Sequence, residues 1–136
     1  NRRSQGRNGF LPMLQRQARK TMIDMDRDTA FARRMLDALS TRSKAAMHNI
    51  ANQHVPGFKR YEVRFEELLK KELDKGGSGD AVVPVIDRDT SGPPEANNVD
   101  VMEELTLLAK TQLLHDVMSR RAGSYFATLN KVITGR

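Results

Sequence analysis

The residues able to do chemistry here are few and badly placed for it. The chain has no cysteine, so it can hold neither a thiolate site nor a disulfide. Its three histidines are His48, His54 and His115. No two of them stand four residues apart, the spacing at which one helix face offers two ligands to a metal. Asp24-Met25-Asp26-Arg27-Asp28 starts like a calcium-binding loop. The positions where that loop needs glycine and glutamate hold Thr29 and Met35, so the run reads instead as an acidic helix face. Glu66-Glu67 and Glu103-Glu104 are adjacent pairs, and adjacent side chains diverge around a helix rather than share a site. No glycine-rich phosphate loop and no nucleophile elbow is present. No catalytic residue, metal ligand or cofactor-binding residue is expected, no small-molecule substrate follows, and the chain reads as a non-enzyme.

Charge is distributed unevenly. Arg2, Arg3, Arg7, Arg16, Arg19 and Lys20 give residues 1–21 six positive charges and no acid, while the remainder balances seventeen basic against seventeen acidic residues. The net charge of +6 therefore belongs to the N-terminal segment. Residues 1–21 read as a basic flexible extension, either a solvated tail or an arm for an anionic partner. A basic helical nucleic-acid-binding protein using that arm is the alternative reading, although nucleic acid is not the partner expected. The basic start is not followed by an apolar stretch and a small-residue cleavage site, so no cleaved Sec signal is expected. No run reaches the 18 or so apolar residues that a membrane span needs.

The elements that carry these residues are helical at both ends. Pro12 suits the first turn of a helix, where its missing N–H costs nothing. From there Ala18, Met22, Met25, Thr29, Ala32, Leu36, Leu39, Ser43, Ala46 and Ile50 alternate steps of four and three, the spacing of a coiled-coil seam. Phe31, Met35, Ala38 and Ala45 form a second stripe beside it. The helix must stop at Asn49-Ile50-Ala51-Asn52-Gln53-His54-Val55-Pro56-Gly57-Phe58. Pro56 disfavours the α region for Val55, and Pro56-Gly57 fits the two central positions of a type II turn. Tyr61, Val63 and Phe65 then alternate with charged residues, as a short half-buried extended segment does.

Glu66 to Asp74 allows two helical turns, and Lys75 to Gly79 reads as a flexible linker. Ala81 to Ile86 is at best an edge strand, because Pro84 cannot donate to a ladder. Residues 87–97 read as turn and linker, and 74–97 as the most mobile part. Asp100 is placed to cap a second long helix, with Glu103 completing a capping-box pattern. Its expected seam is Val101, Leu105, Leu108, Gln112, His115, Ser119, Ala122, Phe126, Leu129 and Ile133.

The fold class expected is mostly α, an antiparallel coiled-coil-like pair of long N- and C-terminal helices with a short irregular or extended middle. The divisions are 1–21, 22–57, 58–97 and 98–136. A two-helix hairpin leaves Met102, Leu107, Leu113, Leu114, Val117 and Met118 partly facing water, more apolar surface than a lone soluble chain leaves open. Further copies packed head to tail without closing a ring would cover it and make a helical tube. Leu36, Leu39, Ala46, Ile50, Val101, Leu105, Leu108, Leu113, Val117, Phe126, Leu129 and Ile133 are the candidate seam and assembly residues.

The phrase from Asn49 to Phe58 also resembles the N-terminal motif of flagellar basal-body rod, hook and filament-axis proteins. Asn49, Ile50, Ala51, Asn52, Pro56 and Gly57 match it, with Val55 and Phe58 in place of the usual threonine and tyrosine. Phe65-Glu66-Glu67-Leu68-Leu69 and Asn97-Asn98-Val99-Asp100 resemble the B-type proximal rod proteins in particular. That pattern starts close to Met22, so residues 1–21 stand outside it. The resemblance implies a structural subunit of the proximal rod of the bacterial flagellum, self-assembling into a hollow drive shaft that transmits motor torque in the periplasmic space. The implied partners are like subunits, other rod proteins, the membrane-ring and export-gate junction at the rod base, and the type III export apparatus. No cofactor is implied. The helix-exit residues Asn49, Ile50, Ala51, Asn52, Pro56, Gly57 and Phe58 would fix where the middle segment leaves.

Overall fold

In the computed structural model, residues 10–77, 79 and 81–135 are described, apart from the side chains of Phe10, Ile23 and Val132. Five elements follow one another: α1 (Phe10–Ala51), β1 (Tyr61–Arg64), α2 (Glu66–Asp74), β2 (Val85–Arg88) and α3 (Val101–Thr134). At 1.5 Å per residue α1 is roughly 63 Å long and α3 roughly 51 Å. The two pack against each other antiparallel, and β1 lies on α1. The mostly helical fold with a paired N- and C-terminal helix is therefore as its sequence implies.

The α1 seam works because its buried positions are small. Ala32, Ala38 and Ala46 are buried and let the backbones approach, while Leu39 is fully enclosed. Ala38, Leu39, Val63 and Phe65 form the core, with Met35, Ala45 and Met118 packed on it. The second stripe of α1 thus faces β1 and Phe65 rather than a neighbouring molecule. Arg42 lies over the Phe65 ring at 4.5 Å, donates to the Val63 carbonyl at 3.3 Å and pairs with Glu66.

Three expectations change. Residues 10–21, read as part of a flexible extension and also, from Pro12, as the start of the first long helix, are helix within α1, so the flexible reading changes and the helical one holds, while residues 1–9 lie outside the described residues. Pro12 falls in the first turn, where no intrahelical N–H is needed, and leucine, methionine, glutamine, arginine and lysine favour helix. The second strand is Val85–Arg88, not Ala81 to Ile86. It begins after Pro84, and Asp87 and Arg88, expected in a turn, pair with Glu62 and Tyr61. Arg64 and Asp87 then form an ion pair across the two strands.

The third change is the α3 seam. Val101, Leu108, His115, Ala122 and Leu129 are at least half-buried, as the spacing predicts. Between them the inward positions are Glu104, Thr111, Met118 and Tyr125, whereas Leu105, Gln112, Ser119 and Phe126 are exposed. The two patterns share every other residue and differ by one position in between. Thr111 can occupy the seam because its hydroxyl donates to the Leu107 carbonyl at 2.7 Å, which leaves no buried donor unmet.

Candidate assembly interface

At the closed end of the hairpin, four asparagines tie the chain to itself. Val55 to Phe58 form the turn: the Phe58 N–H donates to the Val55 carbonyl at 3.2 Å, and Gly57 has φ +69°. Asn49 is fully buried. Its side chain mimics a strand neighbour for Tyr61, accepting from the Tyr61 N–H at 2.8 Å and donating to the Tyr61 carbonyl at 2.9 Å. That contact commits the outer edge of β1 to α1. Asn52 donates to the His48 carbonyl at 2.8 Å, closing the last turn of α1.

The second asparagine pair answers the first. Asn97 Nδ2 lies 2.9, 3.1 and 2.8 Å from the carbonyls of Asn52, Gln53 and Val55, and its Oδ1 accepts from the Val99 N–H. Asn98 accepts from the Arg60 N–H at 2.8 Å and donates to the Asp89 carbonyl at 2.7 Å. Helix ends and loops carry unpaired carbonyls that must find donors when buried. Here side-chain amides supply them, so the end of α1 is lashed to the start of α3. Asp100 then caps α3, accepting from the N–H groups of Met102 and Glu103. Glu103 turns its carboxylate to within 4.0 Å of Arg60.

The most committed polar group is Glu104, with 0% of its surface exposed. Its Oε1 accepts from Asn49 Nδ2 at 3.1 Å and from Arg60 Nε at 2.8 Å. Its Oε2 is buried and takes no hydrogen bond from the described residues. Arg60 also approaches Glu62 at 3.4 Å and Asp89 at 4.0 Å. Hydrogen bonds from Ser91, with its hydroxyl the largest influence and its N–H next, hold the Asp89 carboxyl below its ordinary value. Lys59 is buried nearby and donates to the carbonyls of Ser91 and Pro93 at 3.0 and 2.8 Å. His48, Phe58 and Tyr61 form a ring cluster, with Arg88 4.7 Å above the Tyr61 ring. Sequence spacing missed Glu104 and Arg60. The signal available was a charged residue in the alternate three-four pattern of α3, opposite the asparagine of the helix exit.

Along the hairpin, the predicted assembly residues divide in two. Leu36, Leu39, Ala46, Ile50, Val101, Leu108 and Leu129 lie between the helices. Leu105, Leu113, Val117, Phe126 and Ile133, with Met102 and Leu114, are between 41 and 72% exposed. Met102, Leu113 and Val117 stand on the side turned away from α1. An open groove of about 420 Å³ lined by Arg60, Met102, Thr106 and Lys110 joins this face to the closed end. Gln112 bonds Asp116 within α3 at 2.9 Å, and Arg121 reaches Asp28 across the hairpin at 3.7 Å. Asp28 thus faces an arginine, and no cluster of three metal-ligating side chains occurs among the described residues.

No protein-family model matches the chain. It is similar to the flagellar basal body rod protein FlgB of Borreliella burgdorferi, 31% identical over 134 residues that span 82% of this chain and 99% of that protein. It is also similar to the proteins of the same name from Bacillus subtilis, 30% identical over 113 residues, and Borrelia hermsii, 29% identical over 124. These cover 74 and 75% of this chain and 88 and 92% of the relatives. A hairpin of long helices, locked at one end and apolar on its outer face, with near-complete coverage of such a relative, belongs to the FlgB family of flagellar basal body rod proteins, and its role is structural.

Proposed function

We propose that this hairpin assembles with copies of itself and with related rod proteins into a hollow helical shaft that carries motor torque across the periplasm. The observation that carries the reading is the outer face of α3, where Met102, Leu113 and Val117 stand in water on the side away from α1. Large contiguous apolar surface on a folded chain marks a protein contact. Covering it with neighbouring helices needs no closed ring, and a contact that does not close propagates as a helix of subunits. Torque then passes through side-to-side helix packing, and the locked closed end keeps each subunit from shearing along its own seam.

The same proposal has the chain leave the cell through the flagellar type III apparatus without a cleaved Sec signal, and meet the membrane-ring and export-gate junction at the rod base. The long seam supports this by its small side chains. Such a seam stabilises a lone hairpin modestly and leaves it easy to unwind before assembly.

The test is Leu113→Glu with Val117→Glu, expressed in cells lacking the native copy. The purified variant is expected to keep its helical circular dichroism, because both positions are exposed, yet to be absent from isolated basal bodies and to leave cells non-motile. Normal incorporation and swimming would overturn the assignment of this face.

A further inference from the structure

We infer that Glu104, held by Asn49 and Arg60, is a positioning residue for the outer face of α3: it fixes the rotation of α3 about its own axis, and so decides which apolar residues meet neighbouring subunits. The inference rests on the reading of that face as an assembly surface. α3 carries two overlapping seams. Both use Val101, Leu108, His115, Ala122 and Leu129. One adds Glu104, Thr111, Met118 and Tyr125, the other Leu105, Gln112, Ser119 and Phe126. Successive side chains stand about 100° apart on a helix, so exchanging one seam for the other turns α3 by about 50°.

The two settings compete. At both ends of α3 the second seam is the more apolar, with leucine against glutamate at 105 and 104 and phenylalanine against tyrosine at 126 and 125. In the middle Gln112 and Ser119 are polar, but each has a partner within α3. Gln112 donates to Asp116 at 2.9 Å, and Ser119 Oγ lies 3.5 Å from His115 Nδ1. Burying a carboxylate where a leucine could go is costly unless the charge is paired and hydrogen-bonded. The fold nevertheless encloses Glu104 completely and leaves Leu105 and Phe126 exposed.

Asn49 Nδ2 and Arg60 Nε, 3.1 and 2.8 Å from Glu104 Oε1, permit this. They belong to α1 and to the segment before β1, which do not turn with α3. A turn of about 50°, at a side-chain radius of about 5–6 Å, carries the carboxylate about 5 Å away and out of hydrogen-bond reach. Asn49 and Arg60 therefore recognise one setting only. Thr111 does not discriminate in this way, because its hydroxyl bonds the Leu107 carbonyl of its own helix.

The chosen setting shapes the outer side. Leu105 and Phe126 share one bearing, and Met102, Leu113 and Val117 follow at successive steps of about 50° round the helix. With Glu104 inside, these five residues are all exposed and form one apolar arc. In the turned setting Leu105 and Phe126 enter the seam, Glu104 and Tyr125 emerge on the other flank, and the arc is shorter. A neighbour packed on α3 meets a different surface in each case.

The chain has no cysteine, so one introduced thiol reports its own surroundings. Thr111→Cys places it at a buried position of the occupied seam, and Ser119→Cys at an exposed position of the alternative one. Each is made in the purified full chain alone, with Arg60→Met, and with Arg60→Met plus Glu104→Leu. Reaction with a maleimide is timed beside helical circular dichroism. In the parent chain the thiol at 119 is expected to react faster than that at 111 by about tenfold or more, since a buried thiol waits for local opening. Arg60→Met leaves Glu104 beside Glu62, Asp89 and Glu103 with their shared guanidinium gone. The thiol at 111 is then expected to gain reactivity and that at 119 to lose it, with the dichroism retained. Adding Glu104→Leu is expected to restore the parent pattern. Loosening or unfolding speeds reaction at 111 without slowing it at 119, so only a turn of the helix moves the two in opposite directions. No slowing at 119 in Arg60→Met, whether the dichroism is kept or lost, overturns the inference. So does slowing that persists after Glu104→Leu. Thiol reactivity is read on the isolated chain, so failure here leaves entry of the α3 face into the rod untouched. Normal assembly of the Leu113→Glu/Val117→Glu variant likewise leaves the rotation untouched.

Discussion

Glu104→Ala tests the closed end most directly. The substitution removes a carboxylate that is wholly buried and that receives one amide and one guanidinium hydrogen bond. Removing one member of a buried ion pair costs about 3–5 kcal/mol, because the other charge is left without its partner. Two features point to the lower end. Arg60 keeps Glu62, Asp89 and Glu103 within 3.4 to 4.0 Å, and Asn49 keeps both bonds to Tyr61.

The expected loss is therefore about 3 kcal/mol, or a fall of about 10 °C in melting temperature for a chain of this size. Urea unfolding followed by helical circular dichroism measures it. Glu104→Gln keeps an acceptor at Oε1 but forfeits the charge, and about 1–2 kcal/mol is expected. Glu103→Gln is the control: its side chain is 70% exposed, and less than about 0.5 kcal/mol is expected. Replacing Glu104 and Arg60 together by methionine is expected to recover most of the loss. If Glu104→Ala costs no more than Glu103→Gln, the buried pair is not what holds the closed end.

Other outcomes follow from single positions. Asn97→Ala leaves the carbonyls of Asn52, Gln53 and Val55 without their shared donor and is expected to lower stability by about 1–2 kcal/mol in urea unfolding. Gly57→Ala is expected to cost about 1–2 kcal/mol from its φ of +69° alone, since a Cβ there meets only the Glu95 carbonyl at 3.8 Å. Gly123→Ala is expected to gain about 0.5–1 kcal/mol, because nothing lies within 4 Å of the added methyl and the helix is continuous there. Asp89 titrates below its ordinary 3.8 in the fold, so its contribution is present above that value and lost as pH falls through the depressed one. Ser91→Ala is expected to move the Asp89 titration, followed by carboxyl NMR shifts, back up toward the ordinary value.

What could be read from residue order was local. The Pro56-Gly57 turn, the exit at Asn52, the Asp100 cap and the α1 seam from Met25 to Ile50 all depend on neighbours within a turn or two of chain and are present, whereas Ala18 and Met22, counted in that seam, are exposed. Strand register was harder. Pro84 marks where a ladder cannot be, but nothing local says that Asp87 and Arg88 will find Glu62 and Tyr61 some 25 residues away. The α3 seam shows the same limit. Leu105 and Phe126 outrank Glu104 and Tyr125 in hydropathy, so spacing alone prefers them. Only Asn49 and Arg60, supplied by distant parts of the chain, make a buried carboxylate at position 104 tolerable. The asparagine pairs were legible as a motif, but not as two halves of one lattice.

That lattice has a geometric consequence. Alanines at three of the buried positions of α1 leave a smooth track on which two helices could be offset by a turn at little cost. The Asn97 amide forbids it, since a slip of one turn, about 5.4 Å, would break its bonds to the carbonyls of Asn52, Gln53 and Val55 at the end of α1. The hairpin is thus a gauge block: the offset of its two helices is set at one end by side-chain hydrogen bonds and not by the seam.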